Sequence, residues 1–220
     1  MRFINQVRGA FSAATKGFRS RNGSEQELDL YTDPTFAAGL ETWGAESTWP
    51  EIKMLLQNRT GKVLDLACGT GRAWDEIKDF PNLDYYGCDI SPLLIEMAAK
   101  RCIPKGRLAT LDAANLSYAS REFDFLFSIG SLEHFTVEGL RSTIKECKRV
   151  CKGTQFHMVP VSLSGFNEGW ISPLQGYWCN NEAWWKALFA AEFGKNVWTM
   201  GSSWRDGRSR GIWIICGAST

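Results

Sequence analysis

Short apolar runs alternate with amphipathic, helix-like stretches between about residues 46 and 216 of this chain. The runs contain many branched and aromatic residues and are too short for buried helices, which predicts β-strands. The predicted strands are 62–67, 84–89, 107–111, 123–129, 154–159, 196–200 and 211–216. Helical spacing, with Ser-Pro or Thr-Trp-Pro at the start of two segments, predicts the helices between them. The predicted helices begin near Ser47 and cover 72–80, 92–101, 137–150 and 182–193.

This alternation predicts the fold class. Strands that are apolar on both faces and separated by helices indicate a parallel sheet covered on both sides, so we expect a Rossmann-like α/β fold with a seven-stranded, mostly parallel sheet. Only the turn 204–209 separates the last two strands, so the last strand should be antiparallel. Ligands of such sheets bind beyond the carboxyl ends of the strands. The segments to examine are therefore 67–71, 89–91, 112–113 and 129–134.

Composition and charge exclude several classes of protein. The chain has 220 residues, of which 44% are hydrophobic and 22% charged, and its net charge is +1. These values exclude disorder as the main state and provide no overall attraction to nucleic acid. No run approaches the roughly 20 apolar residues of a membrane span. We predict a single domain over residues 25–220.

The cysteines and histidines do not form a metal-binding pattern. Seven cysteines are scattered along the chain without a CxxC pair, and there are only two histidines, whereas zinc sites need clustered ligands. We interpret the thiols as reduced and mostly buried, which indicates a reducing compartment. We therefore predict a cytoplasmic protein with no bound metal.

The first 24 residues differ from the rest of the chain. They contain five basic residues and no acidic one, and apolar residues recur at helical spacing within residues 2–19. This pattern is typical of an amphipathic helix in contact with a membrane surface. It also fits an organellar presequence, and a helix packed on the domain or a basic tail is the third interpretation.

The most informative motif is Asp65-Leu-Ala-Cys-Gly-Thr-Gly71, a glycine turn between a predicted strand and a predicted helix. Glycines at this point allow the backbone to approach a ligand closely. A dinucleotide-binding turn would have its third glycine where Trp74 stands, and a pyrophosphate would gain nothing from Asp65. That acid can accept hydrogen bonds from amides of the turn or attract a cationic ligand, directly or through water.

The motif resembles the first motif of the class I S-adenosylmethionine-dependent methyltransferases, in particular the small type 11-like group. The family pattern is D/E-x-G/A-x-G-x-G, and Ala67 replaces its commoner glycine. Two acids follow predicted strands, Asp89 after the second and Asp112 after the third. The segment 123–135, which ends in Leu-Glu-His-Phe, resembles the fourth-strand signature. Together the resemblance covers about residues 46–160.

The resemblance implies that S-adenosylmethionine is the cofactor and that S-adenosylhomocysteine is the product. The carboxylate of Asp89 would accept hydrogen bonds from the ribose hydroxyls, and Asp112 would contact the adenine amino group. The implied cofactor-binding residues are Asp65, Ala67, Cys68, Gly69, Thr70, Gly71, Asp89, Ile90, Asp112, Ala113, Ile129 and Gly130.

Methyl transfer is an in-line displacement in which positioning and water exclusion do much of the work. An oxygen nucleophile also gains from a general base. His134 is the candidate base because it follows the carboxyl end of the fourth strand, and Glu133 is its rival. The alternative is that His134 caps a helix or orients the turn. His157 lies in the middle of a strand and is interpreted as a core histidine.

Aromatic residues accumulate where this family has its acceptor site. Seven of the ten tryptophans lie within residues 160–216, and we predict that the segment 160–182 is a tryptophan-rich lid over the substrate. The alternative is that these aromatic side chains form a small core of the lid itself. The candidate substrate-binding residues are Tyr31, Trp43, Trp170, Tyr177 and Trp178.

The predicted function is methyl transfer to a hydroxyl oxygen of a small molecule, a sugar or a lipid-linked acceptor. No nucleic acid partner is expected, because no basic patch adjoins the predicted active-site loops. Two alternatives stay open, namely a non-catalytic S-adenosylmethionine-binding subunit and an NAD-dependent oxidoreductase. Trp74 and Asp65 disfavour the oxidoreductase. The sequence does not determine the oligomeric state.

Overall fold

A computed structural model describes residues 27–172 and 175–217, so the basic segment 1–24 and its three interpretations lie outside the described residues. A 3-10 helix at Leu28–Thr32 precedes the first α-helix, and another spans Leu132–His134. The α-helices are α1 (Pro34–Leu40), α2 (Thr48–Leu56), α3 (Arg72–Ile77), α4 (Pro92–Ala99), α5 (Val137–Val150) and α6 (Glu182–Phe193). The strands are β1 (Gly61–Leu66), β2 (Leu83–Asp89), β3 (Leu108–Thr110), β4 (Phe123–Ile129), β5 (Cys151–Ser162), β6 (Trp170–Ile171), β7 (Tyr177–Trp178), β8 (Val197–Arg205) and β9 (Ser209–Gly217).

Seven strands form one sheet in the order β3-β2-β1-β4-β5-β9-β8. All neighbours are parallel except that β9 runs antiparallel to both β5 and β8. This arrangement confirms the predicted Rossmann-like sheet with its antiparallel last strand. The strand order reverses between β1 and β4, so a crevice opens where these two strands end.

Two hydrophobic clusters cover the two faces of the sheet. One joins Leu126 of β4 to Ile144 of α5 and Phe189 of α6, and the other joins Phe127 of β4 to Ile52 of α2. Adjacent residues of β4 therefore face opposite clusters, as the pleat of a strand requires. The burial of both faces explains why the central strands are apolar at almost every position.

The strand β5 is longer than predicted. It pairs with β9 from Thr154 opposite Gly217 to Ser162 opposite Ser209. The long antiparallel partner provides hydrogen bonds that keep the chain extended beyond residue 159. The first three residues of the predicted lid therefore belong to the main sheet, whereas β6 and β7 form a separate two-stranded sheet within that segment.

The core contains a buried histidine and several buried thiols. His157 is fully buried, as interpreted from the sequence, and its Nδ1 lies 2.9 Å from the hydroxyl of Ser128. Burial lowers the pKa of His157 to about 3, so the ring is neutral at neutral pH. Six of the seven cysteines are buried free thiols, and only Cys102 is exposed. None of the helices in the described parts of the chain is long and apolar enough to cross a membrane.

Candidate active site

A cavity of about 520 Å³ lies at the carboxyl ends of the parallel strands, a size typical of sites for small ligands. It is lined mainly by apolar and aromatic side chains. Fifteen of the residues predicted from the sequence line it, and these are Tyr31, Trp43, Ala67, Cys68, Gly69, Thr70, Asp89, Ile90, Asp112, Ala113, Ile129, Gly130, Glu133, His134 and Tyr177. The predicted residues that do not line it are Asp65, Gly71, Trp170 and Trp178.

The glycine turn after β1 has the geometry that its residues predict. Gly69 and Gly71 adopt φ of 55° and 74°, in the left-handed region that favours glycine. A Cβ at Gly71 would lie only 2.9 Å from the Cβ of Ala98 in α4. Gly71 therefore serves close helix packing, whereas Gly69 and the buried Thr70 line the cavity.

Asp89, the last residue of β2, connects the turn to the cavity. One of its carboxylate oxygens accepts the amide N–H of Gly69, and the other accepts that of Ser91, each at 2.9 Å. Burial raises the pKa of Asp89, and these amide hydrogen bonds oppose the shift. The carboxylate is thus held in place by the backbone while it faces the cavity.

Asp65 occupies a different position from the one expected. Amides of the turn were predicted as possible partners of Asp65, but the amide of Gly69 donates to Asp89 instead, and Asp65 lies within β1. Its carboxylate accepts the hydroxyl of Tyr85 at 2.8 Å. Burial raises the pKa of Asp65 to about 8, and the hydrogen bond from Tyr85 opposes this rise. The indole of Trp74 packs against Tyr85 with 5.4 Å between ring centroids.

His134 has a defined protonation pattern. Its Nδ1 lies 2.8 Å from the carbonyl oxygen of Gly176, and because a carbonyl only accepts, Nδ1 carries the proton. Burial lowers the pKa of His134 to about 4, so the ring is neutral at neutral pH. The lone pair of Nε2 is therefore free to accept a proton within the cavity.

Glu133 lies beside this imidazole. Its Oε1 is 3.9 Å from Nε2 of His134, and its buried Oε2 has no hydrogen-bond partner among the described residues. Burial raises the pKa of Glu133 to about 8, so the carboxyl group is largely protonated at neutral pH. The cavity thus contains an uncharged acid next to an uncharged base.

Aromatic side chains from distant segments form one wall of the cavity. Trp43 contacts Trp204 of β8 at 5.8 Å between ring centroids and the edge of Trp49 at 6.4 Å. Trp178 instead donates its indole N–H to a backbone carbonyl at 2.8 Å and packs against Trp170 at 5.3 Å. Trp170 and Trp178 therefore pack against each other outside the cavity lining, and Trp178 also packs against the main core of the domain.

Comparison with known proteins shows similarity to methyltransferases over the central part of the chain. Residues 63–154 match a family model described as a methyltransferase domain. The demethylmenaquinone methyltransferase of Thermotoga maritima is 32% identical over 114 residues, which are 50% of this chain and 48% of that protein. The probable tRNA methyltransferase 9B of Mus musculus is 32% identical over 105 residues, 46% of this chain and 22% of that protein. The chain thus spans about half or less of the length of these two relatives.

Solved structures share the fold at low identity. The PH0226 protein of Pyrococcus horikoshii has a TM-score of 0.61 and 20% identity, and the match covers 86% of this chain and 93% of that chain. The trans-methyltransferase CalH, crystallised with S-adenosylhomocysteine, has a TM-score of 0.63 and 15% identity, covering 87% of this chain and 62% of that chain. The chain therefore resembles methyltransferase domains over residues 63–154 and has the fold of these solved methyltransferase structures.

The cavity fits the cofactor of this methyltransferase family. The hydroxyl of Thr70 is buried, lines the cavity and has no partner among the described residues, so it is available to a ligand. Among the residues that the structure describes, Arg72 is the one Lys or Arg side chain that lines the cavity, and it is paired with Asp75 at 3.4 Å and with Glu76 at 3.1 Å. An acidic lining without a free cation suits the positively charged S-adenosylmethionine better than a pyrophosphate.

Several residues that line the cavity were not predicted. They come from α1, from the lid and from the β8–β9 hairpin, and they include Phe36, Leu40, Gln175, Trp204 and Asp206. Trp204 was placed in the predicted turn between the last two strands, which offered no hint of a position in the cavity. Only the aromatic character of these segments was a signal, and it did not distinguish lining residues from packing residues.

Gly130 leaves room for Trp43 in the aromatic wall of the cavity. Its φ is 62°, and a Cβ there would lie 2.5 Å from the ring of Trp43. Gly130→Ala should therefore lower the melting temperature by about 5 °C or more, because it combines left-handed strain with displacement of Trp43.

Gly165→Ala is the matched control, since Gly165 has a φ of 78° and open space around a Cβ. Its backbone strain alone should cost about 1 kcal/mol, or about 2–4 °C. Thermal unfolding measured by circular dichroism compares the two variants. Equal losses of melting temperature in the two variants would show that the contact with Trp43 contributes nothing to the stability of the fold.

Proposed function

We propose that this protein transfers the methyl group of S-adenosylmethionine to a hydroxyl oxygen of a small acceptor with an aromatic or apolar body. The observation that supports this proposal is the neutral His134, whose unprotonated Nε2 faces a cavity with an aromatic wall. Trp43, Trp204 and Tyr177 supply flat apolar surfaces against which such an acceptor would stack.

The residues divide the work between binding and proton transfer. Asp89 and Thr70 would hold the cofactor, which supplies a methyl group activated by positively charged sulfur. His134 orients the acceptor hydroxyl through Nε2 and takes its proton as the carbon–oxygen bond forms. The resulting imidazolium keeps its Nδ1 proton on the carbonyl of Gly176. The aromatic wall excludes water from the reacting atoms.

The charge of the cavity favours uncharged acceptors. In the described parts of the chain, four carboxyl groups line it, whereas the single Lys or Arg side chain there, Arg72, is paired with neighbouring acids. A phosphate group would enter this site without a free cation to bind it, and RNA binding depends on such cations. The names of the two relatives mention a quinone and tRNA, and this lining favours the smaller, less charged kind of acceptor.

Calorimetry and a labelled transfer assay test the proposal. The full chain should bind S-adenosylmethionine and S-adenosylhomocysteine with micromolar affinity and should show no binding of NAD. With methyl-labelled cofactor, neutral phenols and aliphatic alcohols should acquire an O-methyl group, whereas anionic analogues and tRNA should stay unlabelled. Binding of NAD without S-adenosylmethionine would overturn the reaction class, and label found only on carbon, nitrogen or RNA would overturn the acceptor.

A further inference from the structure

Gly176 links two segments that are far apart in the chain. Its amide N–H donates to Oε2 of Glu27 at 2.9 Å, and its carbonyl oxygen accepts Nδ1–H of His134 at 2.8 Å. Glu27 is 149 positions from Gly176, and His134 is 42 positions away. Both backbone polar groups of one glycine are therefore used to connect an acid before the first helix to the candidate base.

The surroundings hold Gly176 in place. A Cβ at this position would lie 2.4 Å from the indole of Trp170, so the backbone passes directly against that ring. The preceding side chain, Gln175, donates to the hydroxyl of Tyr31 at 2.7 Å. The segment is thus tied to the region before α1 at two points, and its carbonyl has little freedom to turn away from His134.

A competing arrangement exists for the imidazole. Glu133 lies on the Nε2 side of His134, and its Oε2 is buried without a partner. If the ring lost the carbonyl of Gly176, a proton on Nε2 could satisfy Glu133 and would leave Nε2 unable to accept a proton. The tautomer of a neutral histidine follows the hydrogen bond made by its other nitrogen.

We propose that Glu27 and Gly176 are positioning residues that keep His134 in the Nδ1–H tautomer and so keep Nε2 available as a base. Glu27 fixes the amide of Gly176, and the carbonyl of Gly176 fixes the proton of His134. The inference rests on the proposed function only in giving His134 the role of base. The other titratable groups that face the ring are Glu133, the edge of Tyr177, and Tyr31 behind Gln175.

The chain is well suited to a direct test, because it contains only two histidines. Long-range proton–nitrogen spectra of the full chain labelled with nitrogen-15 histidine report the tautomer and the pKa of each ring separately. His157 lies in the core against Ser128 and monitors the integrity of the fold in the same spectrum. No acceptor is needed for this measurement.

We expect the Nδ1–H tautomer and a depressed pKa of His134 in the unmodified protein. Glu27→Ala and Gly176→Ala should give mixed or reversed tautomers and should lower the pKa of His134 further, because the hydrogen bond to the carbonyl of Gly176 favours the protonated ring and opposes the effect of burial. Glu27→Gln retains an acceptor oxygen and should restore the original tautomer. Glu168→Ala is the matched control, because this lid carboxylate accepts from Ser164 and not from the Gly176 segment.

An unchanged His134 signal in both Glu27→Ala and Gly176→Ala would overturn the inference. Moved His157 signals in Gly176→Ala would show that this variant disturbs the fold. In that case the comparison of Glu27→Ala with Glu27→Gln decides. Equal His134 spectra of those two variants would reject the role of Glu27. Failure of the proposed function is separate. It would appear as absent cofactor binding or absent transfer in the unmodified protein, whatever the tautomer.

Discussion

Asp89→Ala should lower the affinity for S-adenosylmethionine by about 100-fold or more. Two hydrogen bonds from a ligand to a charged acceptor contribute about 1.5 kcal/mol each, and a loss of about 3 kcal/mol corresponds to a factor of about 100. The same substitution releases the amides of Gly69 and Ser91 that the carboxylate holds at 2.9 Å. Isothermal titration calorimetry with the cofactor and with S-adenosylhomocysteine measures the effect.

Asp84→Ala is the matched control for this variant. Asp84 lies on the same strand, is partly exposed and pairs with Arg107 at 2.8 Å, away from the cavity. Asp84→Ala should bind the cofactor as tightly as the unmodified protein. The affinity of Asp89→Asn for the cofactor should lie between the affinities of Asp89→Ala and Asp84→Ala. A loss of tenfold or less in Asp89→Ala would contradict the assignment of Asp89 as a ligand-binding residue.

His134→Ala should lower the turnover of an O-methylated acceptor by about 100-fold or more, because a positioned base contributes about 10²–10⁴-fold to proton transfer. The affinity for the cofactor should change little, since the substitution leaves Asp89 and the glycine turn intact. Turnover with labelled cofactor at saturation, measured beside calorimetry, separates the two quantities.

The variant Glu133→Gln tests whether Glu133, and not His134, is the base. This substitution keeps the shape of the side chain but removes its acidity. If His134 is the base, Glu133→Gln should retain most of the turnover, whereas a loss as large as that of His134→Ala would transfer the role to Glu133. Near-normal turnover of His134→Ala would remove the role of base from His134 and favour the alternative of an orienting residue.

The pH dependence provides a further check on the same assignment. The pKa of His134 is lowered to about 4, so the ring is already unprotonated at neutral pH and its base function is lost only on acidification. For kcat/KM, which reports groups of the free enzyme, the acid limb should therefore lie near pH 4 and not near pH 6.5. A second change near pH 8 is expected as Glu133 ionises.

The sheet and the cofactor turn were predictable because their signals are local. The apolar runs of the strands repeat over a few residues, and each central strand is buried on both faces. The turn from Asp65 to Gly71 has glycine at two of its left-handed positions, 69 and 71, which the sequence displays directly. Asp89 is the last residue of its strand and was predictable from the same local pattern. The role of Asp65 was harder to predict, since its partner Tyr85 lies on a neighbouring strand.

The sequence by itself determined the α/β class, the carboxyl-terminal edge of the sheet as the place of the site, and the glycine turn with its acids. Only the tertiary structure decided that Trp204 meets Trp43, that Trp178 packs within the lid, and that Gly176 holds the proton of His134. The physical reason is the range of the interactions. Secondary structure follows from periodicity over a few residues, whereas the environment of a side chain depends on which distant segments the packed sheet and its hairpin bring against it.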